Sequence, residues 1–133
     1  MENRKPTILI VDDDHEFVQS VEDLLLTEDY NVLKAHDGDS GLELALKERP
    51  DVMILDVMMT HDTEGIEVSR KILETPELKG MPIIMVTGIM SEMNLPFKFE
   101  PDETWLPVST LLEKPVAPQK LLAEIKQRLE QQT

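Results

Sequence analysis

The chain has 133 residues, of which 41% are hydrophobic and 30% are charged, and this composition is typical of one globular domain. It contains no cysteine, which excludes disulfide and thiolate chemistry. Its 27 acidic and 13 basic side chains give a net charge of −14, which argues against nucleic acid as a direct partner because phosphates attract Lys and Arg. The first apolar run, Ile8 to Val11, is too short for a signal peptide or a membrane span, so we expect a cytoplasmic location and no membrane partner.

The spacing of apolar residues predicts strands that alternate with helices. In chain order the predicted elements are a strand over 7–11, a helix over 15–28, a weaker strand over 30–35, a helix over 40–48, a strand over 52–55, a helix over 64–73, strands over 83–86 and 109–112, and a helix over 117–131. Between 91 and 107 the pattern dissolves, and three prolines disfavour a continuous helix. This alternation predicts an α/β fold with a doubly wound parallel sheet, in one domain over 1–133.

Acidic side chains follow two of the predicted strands at the point where each strand ends. Asp12 and Asp13 follow the first strand and Asp56 follows the third, whereas Asp14 is interpreted as the cap of the first helix. In a doubly wound sheet of order 2-1-3-4-5 the first and third strands are neighbours, so these carboxylates would meet in the crevice outside the strand ends. Their mutual repulsion favours a bound cation, and an all-oxygen ligand set suits Mg²⁺.

Two further polar residues, Thr87 and Lys114, follow later strands. A carboxylate can act as a nucleophile and form an acyl phosphate, while a metal ion, an ammonium and a hydroxyl neutralise or bind the phosphoryl oxygens. Taken singly, an Asp after a strand is usually a turn or cap residue and a Lys is usually a solvated charge. The joint placement of all five residues at strand ends predicts phosphoryl transfer.

Four motifs resemble the receiver domain of bacterial two-component response regulators, in particular single-domain chemotaxis receivers, over nearly the whole chain. The matching stretches are Ile8 to Asp14, Pro50 to Asp56, Met81 to Gly88, and Lys114-Pro115. The resemblance implies a flavodoxin-like sheet of five parallel strands in the order 2-1-3-4-5.

The resemblance also implies a role for each acidic residue of the site. Asp56 is similar to the phosphoacceptor of the family. Asp12 and Asp13 are similar to the pair that holds Mg²⁺ together with Asp56, and the backbone carbonyl of Met58 is a further implied ligand.

For the remaining site residues the resemblance implies that Thr87 is the switch hydroxyl and that Lys114 pairs with the Asp56 carboxylate or its phosphoryl oxygens, after a cis bond to Pro115. The implied phosphodonor is a sensor histidine kinase or a histidine phosphotransfer protein, and the implied output is contact with a downstream protein target. We expect a stand-alone phosphoprotein of a phosphorelay, either a monomer or a weak homodimer, and no enzyme with an outside substrate.

The chain departs from the family pattern at several positions. Leu111 stands where the family usually has Tyr or Phe, and the proline-rich segment 91–107 replaces or degrades the expected fourth helix. Within that segment Trp105 is expected to pack onto the core. The resemblance implies that the positions of Met58 and Ile89 flank the phosphoryl group, and since both residues are apolar we predict a slowly decaying phosphorylated state.

Two other functions remain open from the sequence. One is a phosphorylation-independent adaptor that keeps the receiver fold. The other is a hydrolase of the haloacid dehalogenase type, which would need a second Asp two residues after Asp56, where this chain has Met58.

Overall fold

The computed structural model of the chain describes residues 5–56, 64–88 and 108–130, which form a parallel sheet flanked by helices. Its elements are β1 (Thr7–Val11), α1 (His15–Thr27), β2 (Asn31–Ala35), α2 (Gly38–Glu48), β3 (Val52–Leu55), α3 (Glu64–Glu74), β4 (Ile83–Thr87), β5 (Thr110–Glu113) and α4 (Pro118–Glu130). The strands lie in the order β2-β1-β3-β4-β5, which confirms the predicted fold class and strand order. The expectation of a degraded fourth helix concerns 91–107, which lies outside the described residues. Within the three described ranges, no helix has the length and apolarity needed to cross a bilayer.

Both faces of the sheet are buried, because two of the described helices pack on each face. On β1, Leu9 and Val11 join the core formed with α2 and α3, whereas Ile8 and Ile10 join the core formed with α1 and α4. The relative exposure of all four side chains is 0%. This two-sided burial explains why β1 is an unbroken apolar run, and each such side chain stabilises the fold by about 2 kcal/mol.

Side-chain caps fix where the first two helices begin. The Asp14 carboxylate accepts a hydrogen bond from the backbone N–H of Phe17 at 3.2 Å, as predicted for the residue that caps α1. The Asp37 carboxylate accepts one from the backbone N–H of Ser40 at 2.8 Å. Because Asp37 is the cap, α2 begins at Gly38, two residues earlier than its apolar spacing predicts.

Helix α2 approaches the end of β1 more closely than a side chain at Gly41 would allow. A Cβ atom at Gly41 would lie 2.8 Å from both methyl carbons of Val11, closer than such atoms approach one another. Glycine at this position therefore lets α2 pack directly against the last residue of β1, immediately before Asp12.

Candidate functional site

The three carboxylates predicted to converge lie together at the carboxyl edge of the sheet. A carboxylate oxygen from each of Asp12, Asp13 and Asp56 lies within 4.8 Å of the others. The relative exposure of Asp12 is 1% and that of Asp56 is 7%, whereas Asp13 is exposed. The cluster therefore has a buried floor and one side that opens to solvent.

The register of the central strands produces this convergence. Val11 of β1 is the partner of Leu55 of β3, so the residues that follow them, Asp12 and Asp56, lie side by side. The backbone N–H of Asp56 donates to the carbonyl oxygen of Val11 at 3.0 Å, and that of Asp12 donates to Ala35 at 3.1 Å. Both acidic residues are thus anchored through their backbones to neighbouring strands before any side chain is considered.

Lys114 reaches into the same cluster from the end of β5. Its Nζ lies 2.9 Å from Oδ2 of Asp12 and 3.9 Å from Oδ2 of Asp14. The bond between Lys114 and Pro115 is cis, as the resemblance implied. The resemblance implied that Lys114 pairs with the Asp56 carboxylate or its phosphoryl oxygens, and the structure adds an ion pair between Lys114 and Asp12. Asp12 is almost fully buried, and a buried carboxylate is costly unless a cation or hydrogen-bond donor compensates it.

Opposing effects act on the ionisation of Asp12. Burial raises the pKa of the Asp12 carboxyl above its usual range, while the hydrogen bond from Lys114 and one from the backbone N–H of Asp14, at 2.9 Å, act in the opposite direction. Burial has the larger effect, so the pKa remains raised. A cation placed against this carboxylate would favour its charged form.

Thr87 ends β4 beside the strand that leads to Lys114. Its backbone partner in the sheet is Glu113 of β5, the residue that precedes Lys114. A Cβ atom on the residue that follows this strand, Gly88, would lie 3.9 Å from the Cβ atom of Lys114. The backbone of Thr87 therefore lies at the same edge of the sheet as the acidic cluster.

The predictions about the Met58 carbonyl, the shielding by Met58 and Ile89, and the packing of Trp105 concern positions outside the described residues. The departure at Leu111 lies within them. Leu111, which replaces the usual aromatic residue, lies on β5 opposite Met85 and is partly buried against the core.

Among the described residues, three side chains at the site were not predicted from the sequence. The ring of Phe17 lies under the Lys114 ammonium, with 4.3 Å between Nζ and the ring centroid. The rings of His15 and His36 stack on each other, and Nδ1 of His36 lies 3.0 Å from the backbone oxygen of Asp12. In the sequence, only the position of His36 directly after a predicted strand indicated a place at the site, and a polar residue at a strand end is a weak indication.

The donor set limits the chemistry of the cluster. Carboxylate oxygens are the ligands of hard divalent cations such as Mg²⁺, and the open side leaves room for water or a phosphoryl group. A lysine ammonium beside them can bind an anionic oxygen that enters the site. The arrangement fits a divalent cation together with a phosphoryl group.

Comparison with known proteins identifies the same kind of domain. The family model of the response regulator receiver domain matches residues 8–126. The chain is 30% identical to a CheY-like receiver domain protein from Methanospirillum hungatei JF-1, with 97% of each chain covered and a TM-score of 0.79. It is 29% identical to the chemotaxis response regulator CheY4 of Vibrio cholerae, over 95% of this chain and 100% of that one, with a TM-score of 0.77.

The fold is also shared with a receiver domain that belongs to a kinase. The chain is 20% identical to the receiver domain of the sensor histidine kinase PA1611 from Pseudomonas aeruginosa PAO1. The match covers 96% of this chain and 99% of that domain, with a TM-score of 0.80. That protein was solved with a magnesium ion in its active site cleft. With the family model matched over most of its length, the chain belongs to the response regulator receiver domain family.

Proposed function

We propose that this chain accepts a phosphoryl group on Asp56 from a phosphohistidine of a sensor histidine kinase or histidine phosphotransfer protein in the cytoplasm. The phosphoryl group would then change the contacts of the chain with a downstream protein target. The observation that carries the proposal is the approach of three carboxylates to within 4.8 Å of one another, with Lys114 paired to one of them at 2.9 Å.

The metal of this proposal is Mg²⁺, held by Asp12, Asp13 and Asp56. Their oxygens form a suitable donor set, and the related receiver domain of PA1611 holds magnesium in its active site cleft. The Met58 carbonyl, outside the described residues, remains a further ligand of the proposal. When bound, the ion neutralises charge on the phosphoryl oxygens.

In the proposed reaction a carboxylate oxygen of Asp56 forms a bond to phosphorus as the bond to the donor imidazole breaks. The electron pair of the broken bond stays on the imidazole nitrogen, which takes up a proton. Lys114 and the Thr87 hydroxyl would each bind a phosphoryl oxygen of the resulting acyl phosphate. Because the group is later lost to water or passed on, we propose a phosphoprotein with no outside substrate of its own.

The proposal is tested by incubating the chain with acetyl phosphate and Mg²⁺ and measuring its intact mass. We expect the mass to increase by one phosphoryl group. This increase should not occur when a chelator is present during the incubation, and it should be absent in Asp56→Ala. Asp51→Asn is the matched control, because Asp51 precedes the same strand at the opposite edge, where its carboxylate accepts a 2.7 Å hydrogen bond from the N–H of Thr7.

The outcomes separate the proposed function from its alternatives. Labelling of wild type and of Asp51→Asn, but not of Asp56→Ala, supports an aspartyl phosphoprotein. Absence of labelling from acetyl phosphate and from phosphoramidate would instead favour the phosphorylation-independent adaptor. Labelling that persists in Asp56→Ala would assign the phosphoacceptor to another residue and contradict the proposal.

A further inference from the structure

A pair of histidines lies beside the acidic residues that follow β1, Asp12 to Asp14, on the side away from β5. His36 follows β2 directly, and His15 is the first residue of α1. Their ring centroids are 3.9 Å apart and their planes differ by 20°. The pair does not have the geometry of a metal site, because the nitrogen lone pairs of nearly parallel rings lie in separate planes and do not converge on one ion.

The His36 ring is hydrogen-bonded to the backbone of the most buried acidic residue of the site. Its Nδ1 lies 3.0 Å from the carbonyl oxygen of Asp12. A carbonyl oxygen can only accept a hydrogen bond, so Nδ1 of His36 must carry the proton. The contact therefore requires a hydrogen on Nδ1.

Residues at the end of β2 hold the backbone of Asp12 on both sides. The N–H of Asp12 donates to the carbonyl oxygen of Ala35 at 3.1 Å, and the carbonyl oxygen of Asp12 accepts from His36. Two consecutive residues of one strand end thus fix both polar backbone groups of Asp12. Fixing them limits rotation of the backbone from which the carboxylate projects toward Lys114.

We propose that His36 is a positioning residue for the acidic site, and that stacking on His15 holds the His36 ring in its donating orientation. The proposal deepens the proposed function and rests on it, because the group that His36 would position is a ligand of the proposed Mg²⁺ site. Mutating a residue that hydrogen-bonds to a metal-binding residue typically lowers metal affinity by about 10–100-fold.

Amide isosteres of histidine distinguish positioning from packing. In His36→Asn the amide nitrogen occupies the place of Nδ1 and can donate to Asp12, whereas in His36→Gln it occupies the place of Nε2 and cannot. We expect His36→Asn to bind Mg²⁺ within about threefold of wild type, and His36→Gln and His36→Ala to bind it about tenfold more weakly. Mg²⁺ titration monitored by calorimetry measures these affinities, with unfolding by urea as the measure of stability.

The stack is tested in the same way at His15. His15→Phe keeps a flat ring against His36 and should retain the wild-type Mg²⁺ affinity, whereas His15→Ala should lose part of it. Equal affinities in wild type, His36→Asn, His36→Gln and His36→Ala would overturn the proposal. So would an equal loss in His36→Asn and His36→Gln, since that pattern would indicate packing of the ring alone.

A spectroscopic measurement tests the contact without any metal. Two-bond ¹⁵N–¹H correlation spectra of the histidine rings should show a protonated Nδ1 in His36, and the ¹³C shift of the Asp12 carbonyl should change in His36→Gln but not in His36→Asn. An unprotonated Nδ1 would overturn the positioning role. Wild-type protein that takes up no Mg²⁺ but shows the expected spectra would contradict the proposed function and leave the Asp12 contact in place.

Discussion

The Lys114 ammonium connects residues that come from both ends of the chain. It pairs with Asp12 at 2.9 Å, lies 3.9 Å from Asp14, and sits over the ring of Phe17 at 4.3 Å from the centroid. A single cation therefore joins the end of β5 to the loop after β1 and to the first turn of α1. A phosphoryl group on Asp56 would compete for this ammonium, so we expect phosphorylation to weaken its attachment to Asp12 and Phe17.

Replacing Phe17 by Leu removes the aromatic face but retains an apolar side chain of similar bulk. A cation over an aromatic ring contributes about 0.5–1 kcal/mol at a partly exposed site, and Lys114 keeps 19% of its side chain exposed. If this contact helps to hold Lys114 for catalysis, the rate of labelling by acetyl phosphate should fall about two- to fivefold in Phe17→Leu.

Phe17→Tyr is the matched control, because it retains the ring and should label at close to the wild-type rate. The rates are measured at saturating Mg²⁺, so that a change in metal affinity does not contribute. A rate in Phe17→Leu equal to that of Phe17→Tyr would show that the ring has no part in positioning Lys114.

At the scale of elements, the first turn of α2 makes the stability of the fold depend on pH. The backbone N–H of Ser40 donates to the Asp37 carboxylate and lowers its pKa from the usual value of 3.8. A carboxyl group with a lowered pKa in the folded state stabilises that state above its unfolded pKa. The stabilisation is lost as the pH falls through the lower, folded-state pKa.

Asp37→Asn should therefore reduce the loss of stability on acidification. Asn caps a helix about as well as Asp but carries no charge, so its contribution does not vary with pH. Urea unfolding at pH 7 and pH 3 should give a smaller difference in free energy for Asp37→Asn than for wild type. Glu43→Gln, an exposed change in the middle of the same helix, is the control, and a reduction of equal size there would refute the assignment to the cap.

Strands β1 and β3 were predictable because a strand buried on both faces is an unbroken run of apolar residues in the sequence. In β1 and β3 every residue from Ile8 to Val11 and from Val52 to Leu55 is buried, so unbroken apolar runs identified them without any pairing information. Helix α2 was less well predicted, because its first turn contains two glycines whose role depends on a close approach to other elements.

The acidic cluster was predictable for a related reason. Parallel strands end at one edge of a sheet, so strand order alone brings Asp12, Asp13 and Asp56 together. The contacts of Lys114 with Asp12 and of His15 with His36 depend on side-chain rotamers and loop paths. No periodicity in the chain encodes these, which is why the sequence indicated Lys114 as a site residue but not its contacts with Asp12 and Phe17.

For the whole molecule, the net charge of −14 opposes folding, because like charges repel more strongly in the compact state. Ordinary salt screens this repulsion everywhere on the surface. The repulsion is concentrated where three carboxylates lie within 4.8 Å of one another, and there a bound divalent cation can remove it directly. Mg²⁺ should therefore stabilise the chain more than Na⁺ does at equal ionic strength.

Thermal unfolding with MgCl₂ and with NaCl at matched ionic strength measures this difference. At a Mg²⁺ concentration about ten times its dissociation constant, binding to the folded state alone adds about 1.4 kcal/mol to the free energy of unfolding.

Asp13→Asn should be more stable than wild type without Mg²⁺, by about 1 kcal/mol, because it removes one charge from the cluster, and it should lose most of the Mg²⁺-specific gain. Two opposite effects of one substitution, on the metal-free chain and on its response to metal, require that Asp13 both repels its neighbours and binds the ion. An Asp13→Asn protein that is destabilised without Mg²⁺, or that keeps the full gain, would contradict its assignment as a ligand.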